Sequence, residues 1–349
     1  MGFNKGEWSE LYTFLYLLLN PNLAIVDEKL QLIEKNKFQI VEIVSSDNRY
    51  KIEDDRVIKI SDNKRTKEYN LSYISTKNKI LLEKISTHTK AKGSFKIEEI
   101  TPLVDKLFDG KKPKGSSLVK GDLEAIVLDK YFKKIINLNY SIKSNLGRPA
   151  TLLNASRHTN FIYEVSNIND NIMNQNNAIS GRKKLLKRCR FLSKSHASVK
   201  FVSVESATFD YNLKMIDSNL DRLLANMLYL SYKENQKDIK KLISYSIKNE
   251  DEYPFYQKKI GDFANAVSFG MMASKKWNGI NEVKGGILLV NKSGEVYLLD
   301  LIYFKSIVDK YLINNIKLES PSSTRYKMFE IYKESGRYYF KLNLQIRFK

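Results

Sequence analysis

One cysteine, Cys189, stands in the 349-residue chain. No intramolecular disulfide can form, and no thiolate cage can hold a metal. Histidine is almost as scarce: His88, His158 and His196 lie far apart, without metal-ligand spacing. A solvated or hydrogen-bonded imidazole is the expectation for each. Long apolar runs are missing too. The longest, Leu15 to Leu19 extended back to Leu11, is too short to span a bilayer. The first residues mix acid and base without the apolar stretch of a signal peptide. These absences lead us to expect a soluble cytoplasmic protein with no membrane partner.

Acid is in short supply. Asp and Glu number 39 against 59 Lys and Arg, a formal net charge of +20. Such a surplus suits a polyanionic partner. No segment has the character of a basic amphipathic anchor, so nucleic acid fits better than an anionic membrane. The wealth of Lys, Asn and Ile also fits an AT-rich genome, which accounts for part of the surplus. A chain of this length can bury a substantial core as one domain or two.

Along the chain, Glu7 to Asn20 reads as a helix with Trp8, Leu11, Leu15 and Leu18 on one face and Pro21 just beyond its end. Phe38 to Ser45 and Tyr50 to Ile60 read as two strands joined by the turn Ser46-Asp-Asn48. Helical spacing follows over Asn63 to Thr87 and Ile97 to Phe108. Asp109 to Ser117 is a basic loop rich in turn residues. Gly147-Arg-Pro149 interrupts the pattern, and the Asn- and Asp-rich stretch Asn167 to Asn177 marks a soft boundary. We therefore expect one portion over 1–166 and a helical and β portion over 178–349, packed as one body. In the second portion, Phe201 to Asp210 suggests a strand and Leu220 to Lys248 a long helix. Phe263 to Met272 suggests another helix, Gly285 to Leu299 a hairpin around Asn291-Lys-Ser-Gly294, and Tyr338 to Phe348 a last strand. Ser246-Ile-Lys248 repeats a short string discussed next, but in a helical pattern.

The most telling segment is Gly121-Asp-Leu-Glu-Ala-Ile-Val-Leu-Asp129, followed by Ser141-Ile-Lys143. Residues paired in an antiparallel hairpin have numbers that sum to a constant. A turn centred near Tyr131 to Lys133 sets Asp122 opposite Ser141 to Lys143, and residues two apart share a strand face. A carboxylate able to hold Mg²⁺ and a lysine able to polarise water then converge on one small volume. Taken alone, the same residues also suit a plain surface hairpin with a solvated lysine.

Further strings narrow the choice: Asn4-Lys-Gly-Glu-Trp-Ser-Glu10, Lys120 to Asp129, and Tyr140-Ser-Ile-Lys-Ser-Asn-Leu-Gly147. The last continues as Thr151-Leu-Leu-Asn-Ala-Ser156 and Thr159-Asn-Phe161. Lys92-Gly-Ser-Phe95 lies upstream, and Lys341-Leu-Asn-Leu-Gln-Ile-Arg-Phe348 ends the chain. In this order and over essentially the whole length, the chain resembles the HpaII-type family of type II restriction endonucleases. The resemblance implies an α/β fold with a PD-(D/E)XK nuclease core. That core is a mixed β-sheet flanked by helices, with additional helical and β elements in the C-terminal half. It further implies Mg²⁺-dependent cleavage of double-stranded DNA, with CCGG as candidate site.

Carried over by position, Asp122 matches the metal-binding acid and Lys143 the catalytic lysine. Ser141 stands where the common pattern has Asp or Glu, and a hydroxyl is a poor substitute for a carboxylate on Mg²⁺. Glu10 or Glu7, three apart on the first helix, are the natural suppliers of the missing charge. For Glu7, a first-turn carboxylate stabilised by the helix dipole is the plainer role. Asp129 and Glu124 are rivals within the hairpin, and the backbone carbonyl near Ile142 completes the expected donors. Candidates for reading base edges are Arg148, Asn154, Arg157 and Asn160, with Ser323 and Arg325 in the Ser320 to Arg325 segment. Arg182, Lys183, Lys187 and Arg190 fit a face that follows phosphates.

A type II restriction endonuclease is the reading these features favour, with a DNA methyltransferase as its genetic partner and a homodimer as one open arrangement. A structure-specific repair or recombination nuclease of the same fold is one rival, and a non-catalytic DNA-binding protein is the other.

Overall fold

The computed structural model describes residues 2–45, 48–61, 64–88, 93–110 and 121–349. Part of the turn at Ser46, the start of the segment at Asn63, Lys92, and the basic loop from residue 111 through Lys120 lie outside the described residues. Two compact units emerge, Met1–Ala150 with Asn281–Tyr311, and Thr151–Ile280 with Leu312–Lys349. The chain thus leaves the first unit and returns to it for some thirty residues.

The first unit is built on a ten-stranded mixed sheet. Its order is Leu32–Glu34, Ala24–Val26, Val296–Asp300, Gly286–Val290, Lys134–Ser144, Leu123–Asp129, Phe38–Ser45, Asn48–Glu53, Arg56–Ser61 and Lys64–Asn70. Two neighbouring pairs are parallel, Ala24–Val26 with Val296–Asp300 and Gly286–Val290 with Lys134–Ser144. The other pairs are antiparallel.

Helix Lys5–Leu19 packs Trp8, Leu11, Phe14, Leu15 and Leu18 into one core with Tyr50, Ile74, Leu81, Leu107 and Val127. Its start is fixed by a capping box. The Asn4 side chain accepts from the Glu7 N–H at 3.0 Å, and Glu7 Oε2 accepts from the Asn4 N–H at 2.9 Å. Two donors that open a helix without partners are satisfied this way.

Several expected elements divide. Tyr50 to Ile60 is two strands, because Asp54 and Asp55 both take positive φ and turn the chain. The helix expected from Asn63 begins at Leu71. Lys64–Asn70 pairs instead with Arg56–Ser61, and Asn70 caps the helix through the Ser72 N–H at 2.8 Å. The region from Ile97 becomes helical at Thr101–Phe108.

The second unit holds a four-stranded sheet, Ser198–Val204, Asn160–Ser166, Arg337–Asn343 and Tyr332–Glu334 in spatial order. A three-stranded sheet joins Ile316–Leu318, Ile346–Phe348 and Thr151–Leu153. The expected last strand is therefore shared between two sheets. The stretch Asn167 to Asn177 is mostly helix, Asp170–Ala178. Phe201 to Asp210 is the end of a strand followed by helix Ala207–Ile216. The long helix expected over Leu220 to Lys248 breaks at Asn235, whose φ is 49°, into Leu220–Lys233 and Ile239–Ser246. Ser246 ends the latter and Ile247 and Lys248 follow it, none of them part of a strand. Helix Tyr253–Phe269 extends the one expected from Phe263.

Candidate active site

The hairpin register follows the pairing rule: Leu123 faces Tyr140, Ala125 faces Leu138 and Asp129 faces Lys134. Asp122, one step before the strand, falls opposite Ser141, and its N–H donates to the Tyr140 carbonyl at 2.9 Å. Its Oδ2 accepts the Ile142 N–H at 2.7 Å and the Ser141 hydroxyl at 3.3 Å. The Lys143 Nζ donates to Ser141 Oγ at 2.7 Å and to the Ile142 carbonyl at 3.2 Å, and stands 3.8 Å from Asp122 Oδ2. Asp122, Ser141, Ile142 and Lys143 are thus brought together. Lys143 is 17% exposed and Asp122 35%, so both are sheltered yet open to solvent. On its other edge the lysine-bearing strand is held by parallel pairing, Ser141 with Ile287 and Lys143 with Leu289.

Glu10 lies on helix Lys5–Leu19 and lines one groove of about 490 Å³ together with Ile142, Ser144 and Leu146. Lys5, His88, Gly147 and Arg148 complete much of its wall. Glu7 is one helical turn away and serves as the capping residue described above. Asp129 sits at the far end of the hairpin, six strand residues from Leu123, about 20 Å at 3.3 Å per residue. Burial pushes its carboxyl up, but the Tyr303 hydroxyl and the Phe132 and Tyr131 amides outweigh this and hold it below the usual range. It shapes the turn. Glu124 accepts from Asn137 Nδ2 at 2.7 Å.

Asp122 and the Ile142 carbonyl both stand close to Lys143 on the hairpin, and Glu10 shares a groove with Ile142; carboxylates and a carbonyl are the donors a hard cation takes. The Lys143 ammonium stands among Asp122 Oδ2, Ser141 Oγ and the Ile142 carbonyl, so a positive charge is already accommodated by oxygen donors there. Among the described residues no cluster of three His, Cys, Asp or Glu is placed to hold a metal. A set of two carboxylates and a carbonyl instead suits Mg²⁺, which ordinarily takes one or two carboxylates and completes its shell with water and substrate phosphate.

The remaining candidates separate by burial. Arg148, Asn154, Arg157, Arg182, Lys183, Lys187, Arg190 and Arg325 are exposed, and Ser323 is half-buried. Arg325 lies 5.4 Å above the Tyr326 ring. Asn160 is buried. It donates to Glu205 Oε2 at 2.6 Å and accepts from Asn343 Nδ2 at 2.6 Å, so its amide is engaged inside the second unit and does not face a base edge. Within the basic cluster Arg188 is the exception. It is buried and donates to the carbonyls of Asn177 and Met328. Cys189 beside it is buried as well, which pushes its thiol up to about 11 and leaves it inert near neutral pH.

Sequence reasoning missed the network that ties Ser156 and Thr159 to Asn343. Asn343 Nδ2 donates to the Ser156 carbonyl at 2.6 Å, and Thr159 Oγ1 donates to Asn343 Oδ1 at 3.3 Å. Its only trace was polar residues recurring in two strings that resemble the same family.

A fold of this kind, carrying an acid and a lysine on one hairpin, defines an endonuclease candidate, and comparison with known proteins narrows it. The family described as HpaII restriction endonuclease matches residues 4–348. The Type II restriction enzyme HpaII of Haemophilus parainfluenzae is 33% identical over 362 aligned residues, covering 99% of this chain and 98% of that protein. The chain belongs to the HpaII restriction endonuclease family and is a type II site-specific endonuclease whose substrate is double-stranded DNA. No solved structure matches it. Among the described residues no helix is long and apolar enough to cross a membrane.

Proposed function

We propose that this endonuclease hydrolyses phosphodiester bonds with Mg²⁺ at a short specific site, CCGG being the candidate, from a PD-(D/E)XK-type core. The observation that carries the reading is the convergence of Asp122, the Ile142 carbonyl and Lys143 within 4 Å on the hairpin. Asp122, Glu10 and the Ile142 carbonyl are the residues to hold Mg²⁺, which when bound supplies Lewis acidity at a phosphate oxygen and an acidified water.

The chain's own groups do the rest. Lys143, anchored on Ser141 Oγ, orients the attacking water and offers its ammonium to the charge that grows on the phosphoryl oxygens. Water attacks in line, one P–O bond forms as the opposite one breaks, and configuration at phosphorus inverts. The proton lost by water passes to solvent or to the departing oxygen. Ser141 keeps the lysine placed and contributes no charge. Arg157 and Arg325, and with them Arg148 and Asn154, supply the contacts to base edges, while Arg182, Lys183, Lys187 and Arg190 neutralise phosphates. The enzyme works in the cytoplasm beside a cognate methyltransferase, and a homodimer suits a palindromic site.

Plasmid digestion tests this directly. A ladder of discrete fragments is expected in Mg²⁺ and none in chelator. Fragments with random ends would point to a repair nuclease, and binding without cleavage to a catalytically silent DNA-binding protein. Mapped ends away from CCGG would correct the site alone.

A further inference from the structure

Lys5 opens helix Lys5–Leu19, where the aligned peptide dipoles leave partial positive charge. A cation is disfavoured at that end. The acid of the first turn, Glu7, faces the Asn4 N–H. Glu10 is five residues on, outside the three- and four-residue spacings that pair side chains on a helix. Among the described residues no ion pair involves the Lys5 ammonium, although the side chain is half-buried.

The space around it is nonetheless kept for it. A Cβ at Gly147 would come 3.1 Å from Lys5 Cδ and 3.7 Å from Lys5 Cβ. Gly147 does not take the left-handed conformation that favours glycine, and a side chain there would press on the lysine stem. The stem runs across this gap into the groove that Glu10, Ile142 and Ser144 also line, and exposed Arg148 stands on the same wall. Lys5 thereby lines the same groove as the candidate metal carboxylate, and Gly147 lies three residues beyond Ser144, where the lysine-bearing strand ends.

We propose that Lys5 is a substrate-binding residue that takes a backbone phosphate of the strand being cut, next to the scissile one, while Lys143 serves the scissile phosphate. Gly147 is the seat that lets it reach. The proposal rests on the nuclease reading above. It explains why the cation sits against the helix dipole: its counter-charge arrives with the DNA.

The test uses the full chain and a duplex carrying the site mapped from its plasmid fragments, with Lys5→Met, Lys5→Arg and Gly147→Ala. Affinity is measured across salt concentrations with Ca²⁺ replacing Mg²⁺. Lys5→Met should flatten the dependence of log K on log salt by about 0.9, the loss of one phosphate contact, and weaken binding about tenfold. Lys5→Arg should restore the slope, and Gly147→Ala should weaken binding without altering the mapped site.

A neutral methylphosphonate placed at each phosphate in turn should erase the difference between wild type and Lys5→Met at one position beside the cut. Without DNA, the melting temperature of Lys5→Met should be unchanged or higher, since a cation leaves a positive helix end; a merely structural lysine would lower it. An unchanged salt slope, or no position at which the methylphosphonate erases the difference, overturns the proposal even if the wild type cuts normally. A wild type that neither cuts nor binds the duplex overturns the nuclease reading and this proposal with it.

Discussion

The Asp122–Lys143 hairpin and the Asn343 network are both compact polar constructions, but they are made in opposite ways. Asp122 and Lys143 meet because two adjacent strands pair in a fixed register over a tight turn. Backbone geometry does the positioning, and the side chains add a few contacts. Around Arg157 the arrangement is reversed. The short turn Arg157–Thr159 is held by a capping box, by Asn160 bonded to Glu205, and by Asn343, more than 180 residues away in sequence. Side-chain amides do the positioning there. A centre built from register tolerates change in its surroundings, whereas one built from buried amides fails when any member is removed.

The largest effect should come from the acid of the register-built centre. Asp122→Ala should lower cleavage by roughly a thousandfold or more. DNA binding should be retained or even tightened, since an acid no longer opposes phosphate. Gel-shift and cleavage assays run side by side check this, and wild-type-like cleavage would remove Asp122 from the site.

Next in size are the two helix glutamates, Glu7 in the capping box and Glu10 in the groove. Glu10→Gln should slow cleavage by orders of magnitude with little change in stability. Glu7→Gln should lose part of the capping box, a cost of about 1 kcal/mol, while still cutting. Ser141→Ala should be milder than Glu10→Gln, because the serine only steadies Lys143. Normal cutting by both glutamine variants would direct attention to Glu124.

The amide-built region should answer in stability and selectivity together. Asn343→Ala takes the amide donor from Asn160 Oδ1 and one of the donors from the Ser156 carbonyl, a cost of about 1–3 kcal/mol seen by urea denaturation. Arg157→Ala should leave stability alone and narrow the preference for the cognate site over single-base variants, by about 1–3 kcal/mol if the contact is bidentate. Equal preference in wild type and Arg157→Ala would exclude this arginine from base readout, and Arg325→Ala is then the variant to examine.

Neutralising Arg182, Lys183, Lys187 and Arg190 together should weaken binding to all sequences alike and flatten the salt dependence by about 0.9 for each phosphate lost. An unchanged slope would mean that this cluster faces only solvent.

The smallest effect concerns pH. Burial tends to raise the Glu205 carboxyl, but Lys341 and Asn160 outweigh it and hold the group below the usual range. A folded-state pKa below the unfolded value of about 4.3 stabilises the protein above that pH, and the benefit is lost as pH falls through the folded value. Glu205→Gln should therefore melt earlier than wild type at pH 7, with the gap closing toward pH 4. A gap that is constant with pH would show that the carboxylate charge is irrelevant to the network.

The same contrast explains what could be read from the chain before its structure. The hairpin was legible because Asp122, the turn and Lys143 lie within about twenty residues and obey a counting rule. The first helix was legible from the period of Trp8, Leu11, Leu15 and Leu18. The turn at Asp54 and Asp55 was overlooked because an apolar alternation runs through it, and the strand Lys64–Asn70 because its charged residues offer no period until a neighbour pairs with them. Asn160 read as a surface polar residue. Its partners, Glu205 and Asn343, come from strand neighbours that only the folded sheet brings alongside. Glu10 and Glu7 could not be separated by spacing; in the fold Glu7 caps the helix and Glu10 lines the groove.

The parallel pairing of Gly286–Val290 with the Lys143 strand has a temporal consequence. Tyr140 is completely buried beneath Gly285, where any side chain would overlap its ring, so the strand has no finished surroundings until that segment arrives. The ribosome makes it about 140 residues after Lys143, roughly 7–30 s later at ordinary elongation rates. During that interval a nascent chain already contains both Asp122 and Lys143 yet lacks the strand that fixes them. We expect such a chain, released at residue 280, to be protease-sensitive and unable to nick DNA; nicking by it would show that the hairpin matures unaided. If the expectation holds, an enzyme able to damage its host's genome stays harmless until its synthesis is nearly over.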